Sequence, residues 1–401
     1  MTVGASPSTV GTLERRYLSG TFAELCRIES PSGLERRCAE RVIAELRALG
    51  VKVDEDDAGT LADSDCGNLL ARIPAGEPGG TPRASNGEER RSVLLCAHLD
   101  TVPPHAPVEP VLIDGVWENA NEGILGADNK AAIAVMLALA RHVCREGAAV
   151  DVELLFTVRE ETGLAGARAF DAARLRSDIG YVFDHASPIG EVVVASPTHF
   201  RVEASFLGAA AHAGARPEDG RSAILAASRA VASLSLGRVD AETTVNVGTI
   251  SGGTAMNVVP ERCTVVAEVR GLDDERAEAV VAELVDRVHE AANLPQCDCD
   301  VDVSVQRTCS GYRLADSAPA VEVAEAALRA CGHEPHRIAS GGASDANALL
   351  TQGVETVNLA NGTERSHEPG ERVSVTALEG MLDVALALLD EAAAPAAHAA
   401  R

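Results

Sequence analysis

The stretch that decides the fold is Ser92–Leu139, which begins SVLLCAHLDTVPP and, after a short predicted hairpin, continues GILGADNKAAIAVMLAL. The uniformly apolar Val93–Cys96 is typical of a strand that is buried on both faces of an α/β sheet. Such sheets bind ligands at the carboxyl ends of their strands, where this strand is followed by His98 and Asp100. The apolar run Ala131–Ala140 is too short to span a bilayer and predicts a buried helix. We therefore expect an α/β domain with its chemistry at the end of this strand.

Length and charge limit the classes of protein that this chain can represent. A chain of 401 residues exceeds one comfortable hydrophobic core, so two domains are expected. Its 35 basic and 60 acidic side chains give a net charge of −25, which repels nucleic-acid phosphates and anionic membrane surfaces. We therefore expect neither a nucleic-acid nor a membrane partner.

The amino terminus and the cysteines indicate a cytoplasmic protein. The first ten residues, MTVGASPSTV, lack the basic region and the long apolar segment of a secretory signal. The 10 cysteines are scattered, mostly within apolar patterns, and fit reduced thiols in the cytosol. Only Cys297 and Cys299 are close together, and this C-x-C pair is a weak metal signal.

The order of predicted elements divides the chain. Helical patterns over Leu13–Ile28 and Gly33–Leu49 are interrupted by Ser30-Pro31-Ser32-Gly33, which ends one helix and begins the next. Ala75–Arg91 is predicted to be a mobile surface loop, and the tail from Ala392 is predicted to be disordered. After Ser196 a β-α-β-β-α-β order predicts a two-layer α+β domain with an antiparallel sheet. We assign residues 196–304 to this inserted domain and residues 1–195 and 305–401 to the α/β domain.

Polar residues that suit metal binding follow several predicted strands. Asp128 precedes the buried helix, Glu160-Glu161 follows the strand LLFTV, Asp184 follows YVF, and His367 lies in the late loop NGTERSHEPG. Alone, a strand-end histidine such as His98 is usually structural, and an aspartate before a helix is usually an N-cap. Together, two histidines and three carboxylates, one of them shared, would hold two metal ions roughly 3.5–4 Å apart with a bridging water.

Spacing and charge add detail to this metal site. In the H-x-D pattern, Asp100 can accept a hydrogen bond from one nitrogen of His98 and leave the other free for a metal. Two divalent ions bring four positive charges and Asp128, Glu161 and Asp184 return three negative ones, so a bridging hydroxide completes neutrality. The nitrogen and oxygen ligands suit zinc, with cobalt or manganese possible, and include no thiolate.

Several motifs together resemble a known family along nearly the whole chain. HLDTVPP, GILGADNKAA, EETG, FDH, SGGASDANAL and the late histidine resemble, in this order, the co-catalytic zinc peptidases. These include peptidase T, carnosinase-type dipeptidases, glutamate carboxypeptidase and aminoacylase, and the similarity is strongest to peptidase-T-like proteins. The resemblance implies a mixed-sheet catalytic domain with helices on both faces and an inserted lid domain that also forms a homodimer.

The resemblance also implies roles for individual residues. One metal would bind to His98, Asp128 and Asp184. The second would bind to Asp128, Glu161 and His367. Glu160 would be the general base, Asp100 would orient His98, and a cis peptide bond would join Asp128 to Asn129.

Substrate contacts are implied mainly in the inserted domain. His212 would stabilise the oxyanion, in its own subunit or in the neighbouring one, and Asn257 and Arg270 would hold the substrate backbone and carboxylate. The turn Gly341-Gly342, with Ser344, would offer N–H groups to the same carboxylate. Without the resemblance, a turn histidine, an ion-paired strand arginine and an ordinary glycine turn are the simpler interpretations.

These observations lead to an expected function with two alternatives. We expect a dinuclear zinc exopeptidase that cleaves di- and tripeptides and releases the amino-terminal residue. An N-acyl-amino-acid amidohydrolase or carboxypeptidase would use the same metal core, and Asp184, where those enzymes tend to carry Glu, favours the peptidase. A non-catalytic metal-binding protein is the second alternative. The intact Glu160 argues against it, because such a protein has no need for a base.

Overall fold

The computed structural model describes residues 11–77, 81–82 and 91–394. Most of the loop predicted at Ala75–Arg91, and all but the first residues of the tail predicted from Ala392, lie outside this part. Within it, none of the helices combines the length and the apolar character needed to cross a membrane.

The helices and strands of the described residues are numbered in chain order. The helices are α1 (Thr12–Cys26), α2 (Arg36–Ala48), α3 (Ala58–Ala62), α4 (Ala127–Glu146), α5 (Ala165–Ala169), α6 (Ala223–Ser233), α7 (Asp274–Ala292), α8 (Pro319–Ala330), α9 (Asp345–Thr351) and α10 (Val375–Ala393). The first ten strands are β1 (Val53–Glu55), β2 (Leu69–Ile73), β3 (Gly76–Glu77), β4 (Thr81–Pro82), β5 (Ser92–His98), β6 (Pro110–Ile113), β7 (Val116–Asn119), β8 (Asp151–Thr157), β9 (Ile179–His185) and β10 (Glu191–Ser196). The others are β11 (Thr198–Leu207), β12 (Gly237–Arg238), β13 (Thr243–Gly252), β14 (Arg262–Gly271), β15 (Asp300–Cys309), β16 (Tyr312–Arg313), β17 (His336–Ala339), β18 (Glu355–Ala360), β19 (Thr363–Glu364) and β20 (Arg372–Ser374).

The chain forms two compact units. The first contains the chain up to Val194, the segment Leu314–Ser340 and the chain from Ser344. The second contains Ala195–Arg313 and the short segment Gly341–Ala343. The boundary predicted between residues 304 and 305 falls inside β15, because that strand continues to pair with β11 as far as Cys309.

The first unit is built on a mixed sheet in the order β1-β2-β8-β5-β9-β18-β10. β8, β5, β9 and β18 are parallel to one another, whereas β1, β2 and β10 pair antiparallel. Every residue of β5 is buried, as its apolar sequence predicts. Because the carboxyl ends of the parallel strands meet at one edge, the segments after β5, β8, β9 and β18 converge there. The predicted α/β class with a mixed sheet is confirmed.

Helix α4 is the centre of the packing in the first unit. Each residue of Ala131–Ala140 is at most 1% exposed, and the helix contacts α1, α10 and β5. The many alanines allow this close approach of elements on all sides. The predicted buried helix is therefore confirmed, and its first turn carries Asp128 to the sheet edge.

A small sheet in the order β19-β20-β7-β6 also belongs to the first unit. β6 and β7 form the predicted hairpin, in which Asp114 and Gly115 have φ values of 50° and 82°. Positive φ at both central residues is typical of a type I′ turn, which matches the twist of the flanking strands. β19 and β20 bracket the loop that contains His367.

The second unit has the predicted β-α-β-β-α-β order. Its antiparallel sheet runs β12-β13-β14-β11-β15, and α6 and α7 pack against it. Along β14 buried and partly exposed residues alternate, so one face of the sheet covers the core beneath the helices and the other is partly exposed. The predicted two-layer α+β fold is confirmed.

Candidate metal centre

His98 lies at the end of β5 with both ring nitrogens engaged. Its Nδ1 is 3.0 Å from the backbone carbonyl oxygen of Asp100 and 3.3 Å from the Asp100 carboxylate. Nδ1 therefore faces both the backbone carbonyl and the predicted carboxylate of Asp100. Since Nδ1 donates, Nε2 carries the lone pair, and it lies 3.1 Å from Asp128 Oδ1 and 3.6 Å from Asp184 Oδ1.

Asp128 lies between the two predicted histidines. Its Oδ1 faces His98 Nε2, and its Oδ2 is 3.3 Å from His367 Nε2. The same nitrogen of His367 is 2.8 Å from Glu161 Oε1. The structure thus brings together all five predicted metal-ligating side chains, with Asp128 between the two histidines.

The backbone around Asp128 departs from a regular helix. The peptide bond between Asp128 and Asn129 is cis, as predicted. The Asn129 Nδ2 group donates to Asp184 Oδ1 at 2.8 Å and to the Phe183 carbonyl at 2.9 Å. Asn129 therefore orients the Asp184 carboxylate, a role that the sequence did not reveal.

Asp100 supports the two glutamates as well as His98. Its carboxylate is fully buried and accepts the backbone N–H groups of Glu160 at 2.9 Å and Glu161 at 3.2 Å. The two glutamates lie in a turn after β8 and not in the strand itself. Glu161 reaches His367, whereas Glu160 lies in a group with His98 and Asp184 whose ligand atoms are within 4.8 Å of one another.

Glu371 is a further buried carboxylate at this centre that the sequence did not single out. It is 1% exposed and accepts the backbone N–H groups of Leu125, Gly126 and Asp128 at 2.8, 2.7 and 2.9 Å. It therefore holds the loop that leads into Asp128. Its position four residues after His367, in the same loop, is the sequence feature that could have identified it as part of this centre.

The electrostatics of the cluster reflect crowded carboxylates. Burial and the neighbouring Asp128 raise the pKa of Asp184 to about 7. Burial, with Asp184 nearby, raises the pKa of Glu160 well above its ordinary value. Hydrogen bonds with Asp128 and Glu161 raise the pKa of His367 to about 10. Buried and crowded carboxylates of this kind are stabilised by a nearby positive charge.

The donor set fits divalent metal ions. Imidazole nitrogen and carboxylate oxygen are ligands that zinc, cobalt and manganese accept, and the cluster has an excess of negative charge. Two overlapping groups, His98 with Glu160 and Asp184, and His98 with Asp128 and Glu161, each bring three ligand atoms within 4.8 Å. The residues present are therefore compatible with a two-metal site.

The predicted substrate contacts have other hydrogen bonds in this structure. His212 is exposed, and its Nδ1 accepts the N–H groups of Gly214 and Ala215 at 3.1 Å. Arg270 donates to the Glu268 carboxylate through Nε and Nη2, at 3.2 and 3.1 Å. The geometry at His212 is that of a turn histidine whose Nε2 carries the hydrogen.

The residues predicted to hold the substrate carboxylate belong to both units: Arg270 and the Gly341-Gly342 turn to the second, and Ser344 to the first. Arg270 Nη1 donates to the Gly341 carbonyl at 3.0 Å, and Ser196 Oγ donates to the Gly342 carbonyl at 2.9 Å. Asn257 is exposed and accepts the Ala213 N–H through its backbone carbonyl. Ser344, which is 2% exposed in the first unit, forms a capping box at the start of α9.

Two family models match this chain. Residues 80–191 match Peptidase family M28, and residues 196–293 match the Peptidase dimerisation domain. The first match contains Asp100, Asp128, Glu160 and Asp184. The second lies entirely in the inserted part of the chain.

Solved structures and a curated relative agree with these matches. The chain is 35% identical to aminopeptidase PepT from Bacillus cereus, with a TM-score of 0.83 over 95% of this chain and 99% of that one. It is 31% identical to a tripeptidase from Staphylococcus aureus, with a TM-score of 0.86 over 94% and 98%. It is also 31% identical to a probable carboxypeptidase from Paracoccidioides brasiliensis, over 70% of this chain and 68% of that protein.

Fold and matches define the class as a metallopeptidase with a dimerisation domain. Within that class, the chain belongs to the M20 peptidases and is similar to the PepT-like members. The resemblance recognised in the sequence motifs is confirmed.

Proposed function

We propose that this protein is a metal-dependent exopeptidase that cleaves di- and tripeptides and releases the amino-terminal residue. The observation that carries the proposal is the position of Asp128, whose two carboxylate oxygens face His98 and His367 at 3.1 and 3.3 Å. A carboxylate that offers one oxygen to each of two ligand groups suits a bridge between two metal ions. We take zinc as the first candidate, and cobalt or manganese as alternatives.

Each ligand group would hold one ion. His98, Asp128 and Asp184 would hold the first, and Asp128, Glu161 and His367 would hold the second. Bound divalent ions would polarise the scissile carbonyl and make an attacking water more acidic.

The side chains of this protein would move the protons of the reaction. Glu160 takes a proton from the attacking water and returns it to the departing amine. The buried position that raises its pKa makes the carboxylate a stronger base than an exposed glutamate. Asp100 keeps Glu160 and Glu161 in place by accepting their backbone N–H groups.

Recognition of the substrate is assigned to the second unit and to the residues that follow it. His212, through its Nε2–H, would stabilise the oxyanion, and Asn257 would contact the substrate backbone. Arg270, with the turn at Gly341-Gly342 and Ser344, would hold the free carboxylate of the peptide. The Glu268 carboxylate binds Nε and Nη2 of Arg270 and the Gly341 carbonyl binds Nη1, so two of its five N–H groups remain for the substrate.

We further propose a homodimer formed through the inserted domain, residues 196–304. Within the described residues, β13 pairs on its outer side only through Thr244 and Val245. The rest of this edge carries Ile250, which is 50% exposed, and the nearby Met256 is fully exposed. An open strand edge with exposed apolar side chains is a surface that a second copy would cover.

A cytoplasmic location completes the proposal. All ten cysteines are free, and eight of them are buried. A reducing compartment keeps such thiols unpaired. Short peptides of two or three residues are also substrates that a cytoplasmic enzyme can meet directly.

The experiment is a substrate panel with purified protein. Di- and tripeptides, N-acetylated amino acids and C-amidated peptides are incubated separately with zinc, cobalt or manganese, and the released amine and its identity are followed by mass spectrometry. Release of the amino-terminal residue from free peptides supports the proposal. Cleavage confined to N-acetylated amino acids would support the deacylase alternative, and release of the carboxyl-terminal residue from tripeptides would support a carboxypeptidase.

A further inference from the structure

The segment Ser30–Glu35, with the sequence SPSGLE, connects α1 to α2 and lies against the metal centre. The sequence predicts only that it ends one helix and begins the next. In the structure, Ser30 Oγ donates to the Leu99 carbonyl at 2.8 Å, one residue before Asp100. Ser32 Oγ donates to Asp100 Oδ2 at 2.6 Å. The segment therefore holds both the backbone and the side chain at the end of β5.

Glu35 makes a second connection, to the turn that carries the glutamate pair. Its carboxylate is fully buried, and Oε1 accepts the backbone N–H of Arg159 at 3.1 Å, one residue before Glu160. The same oxygen accepts a hydrogen bond from the Gly33 N–H at 2.8 Å, and Oε2 accepts one from the Ser64 hydroxyl at 2.6 Å. A buried carboxylate with three donors is a fixed anchor and not a surface charge.

Arg159 needs such an anchor because its backbone is in the left-handed region, with φ of 52°. Residues with a Cβ adopt this conformation only when their surroundings hold it. The guanidinium group supports it from the other side, through donation to the carbonyls of Ala62 and Asp63 at 2.7 and 2.9 Å and to Thr162 Oγ1 at 3.0 Å. The conformation that directs Glu160 is thus fixed at both ends of Arg159.

We propose that Glu35 is a positioning residue of this peptidase and that Ser32 assists it. Glu35 fixes the residue before Glu160, while Ser32 fixes Asp100, which holds the N–H groups of Glu160 and Glu161. Proton transfer requires the base to stay within a fraction of an ångström of its productive place. The SPSGLE segment supplies this precision from outside the metal ligands. The inference rests on the proposed role of Glu160.

The chain offers a matched control in Glu153. It is 1% exposed and, like Glu35, holds a turn: it accepts the N–H of Arg176 at 2.8 Å and the N–H and O–H of Ser177 at 2.9 and 2.8 Å. Its other oxygen pairs with Arg72 Nε at 2.7 Å. It lies on β8 four residues before the end at Thr157, on the order of 13 Å from the sheet edge where the metal centre forms. Glu153→Ala therefore removes an equally buried anchor without touching the turn before Glu160.

The first test compares steady-state kinetics of the metal-loaded variants on one peptide that the wild type cleaves. Glu35→Ala is expected to lower kcat about 100-fold with KM within about threefold, because displacing the base impairs chemistry more than binding. Glu35→Gln should recover to within about tenfold of wild type, since its amide oxygen still accepts the Arg159 N–H. Glu153→Ala should leave kcat within about threefold while lowering Tm at least as much as Glu35→Ala does, because it also leaves Arg72 without its carboxylate partner.

The second test does not depend on activity. Hydrogen–deuterium exchange of the metal-free proteins should be faster by about tenfold over residues 158–163 in Glu35→Ala, and over residues 176–178 in Glu153→Ala. If Glu35→Ala does not fold, Glu35→Gln and Ser32→Ala carry the comparison. Ser177→Ala is then the control, because it also removes a hydroxyl that donates to a buried carboxylate.

Three results would overturn the proposal. The first is equal kcat in Glu35→Ala and Glu153→Ala. The second is an effect of Glu35→Ala that is confined to KM, and the third is unchanged hydrogen–deuterium exchange over residues 158–163 in that variant. A wild type that cleaves no peptide at all would refute the proposed function instead and would leave the exchange comparison intact.

Discussion

Glu371 accepts the backbone N–H of Asp128 at 2.9 Å, although 243 positions separate the two residues along the chain. With the N–H groups of Leu125 and Gly126 on the same carboxylate, this contact fixes the loop from which Asp128 projects. The position of the shared carboxylate therefore depends on a residue in the His367 loop. Two loops that are far apart in sequence and carry proposed ligands are thus joined by these hydrogen bonds.

Replacement of this anchor should weaken metal binding. Glu371→Ala leaves three buried N–H groups without their acceptor, and we expect metal affinity or kcat/KM to fall about 10- to 100-fold, as is usual when a supporting partner of a metal ligand is lost. Metal titration followed by calorimetry measures the affinity directly. Glu153→Ala is the control for general loss of stability, and equal metal affinity in wild type and Glu371→Ala would contradict the assignment.

Removal of the metals should abolish hydrolysis and lower thermal stability. The clustered carboxylates repel one another without positive charge, and ligands that bind only the folded state stabilise it by about 2.7 kcal/mol at 100 times the Kd. Exhaustive chelation should therefore lower Tm, and added zinc should restore both Tm and activity. Full activity in protein shown by elemental analysis to be metal-free would exclude the two-metal proposal.

The adjacent glutamates should separate by their metal content. Glu160→Gln removes only the proton carrier, so both metals should stay bound while kcat falls by about two to four orders of magnitude. Glu161→Gln removes a ligand, and about one metal per chain should be lost. Elemental analysis of both variants distinguishes the roles, and metal loss in the Glu160 variant alone would show that they are exchanged.

The sequence predicted those parts of the site that follow from periodicity and from position at strand ends. The apolar β5 and the apolar run in α4 identify a buried strand and a buried helix without any tertiary information. His98, Asp128 and Asp184 stand next to such elements, so convergence of strand ends at one sheet edge was sufficient to group them.

The supporting residues could not be predicted because their contacts depend on tertiary structure. Glu35 precedes an amphipathic helix, where an acidic residue is ordinary near the first turn. Its contact with Arg159 spans 124 positions and cannot be seen in the local sequence. Glu371 lies in a polar loop where an exposed charge is the simplest expectation. The Asp100 carboxylate does face His98 Nδ1 as the spacing predicted, but the nearer contact of that nitrogen with the Asp100 carbonyl could not be read from the spacing.

If the homodimer forms through the β13 edge, a charge introduced there should affect dimerisation, whereas a charge at the opposite edge of the same sheet should not. Ile250 on β13 is 50% exposed and Val305 on β15 is 45% exposed. Ile250→Asp should convert the dimer to a monomer, because a buried charge at an apolar interface is costly. Val305→Asp is the control at the opposite edge. Light scattering after gel filtration measures the mass, and a monomeric wild type or a dimer that survives Ile250→Asp would exclude this edge as the interface.

The final prediction concerns recognition of the substrate carboxylate by Arg270. Its Nε and Nη2 contact Glu268, and Nη1 contacts the Gly341 carbonyl, so the guanidinium plane is fixed on one side. Three of the five N–H groups of arginine have partners in this arrangement, and the other two are available to a carboxylate. We expect Arg270→Ala to lower kcat/KM for free peptides by roughly 2–4 kcal/mol in transition-state free energy, because the carboxylate loses its charged partner.

The measurement compares one peptide as acid and as amide in the wild type and in the variant. The wild type should prefer the acid strongly, whereas Arg270→Ala should treat acid and amide nearly alike, since the group that distinguishes them is gone. Arg201→Ala is the matched control, because Arg201 is also paired with a glutamate two residues away, Glu203. Both lie on β11, the strand next to β14, which carries Arg270. It should retain the acid preference. An equal acid preference in wild type and Arg270→Ala would show that the carboxylate binds elsewhere, and the Glu268 pair would then be the whole role of Arg270.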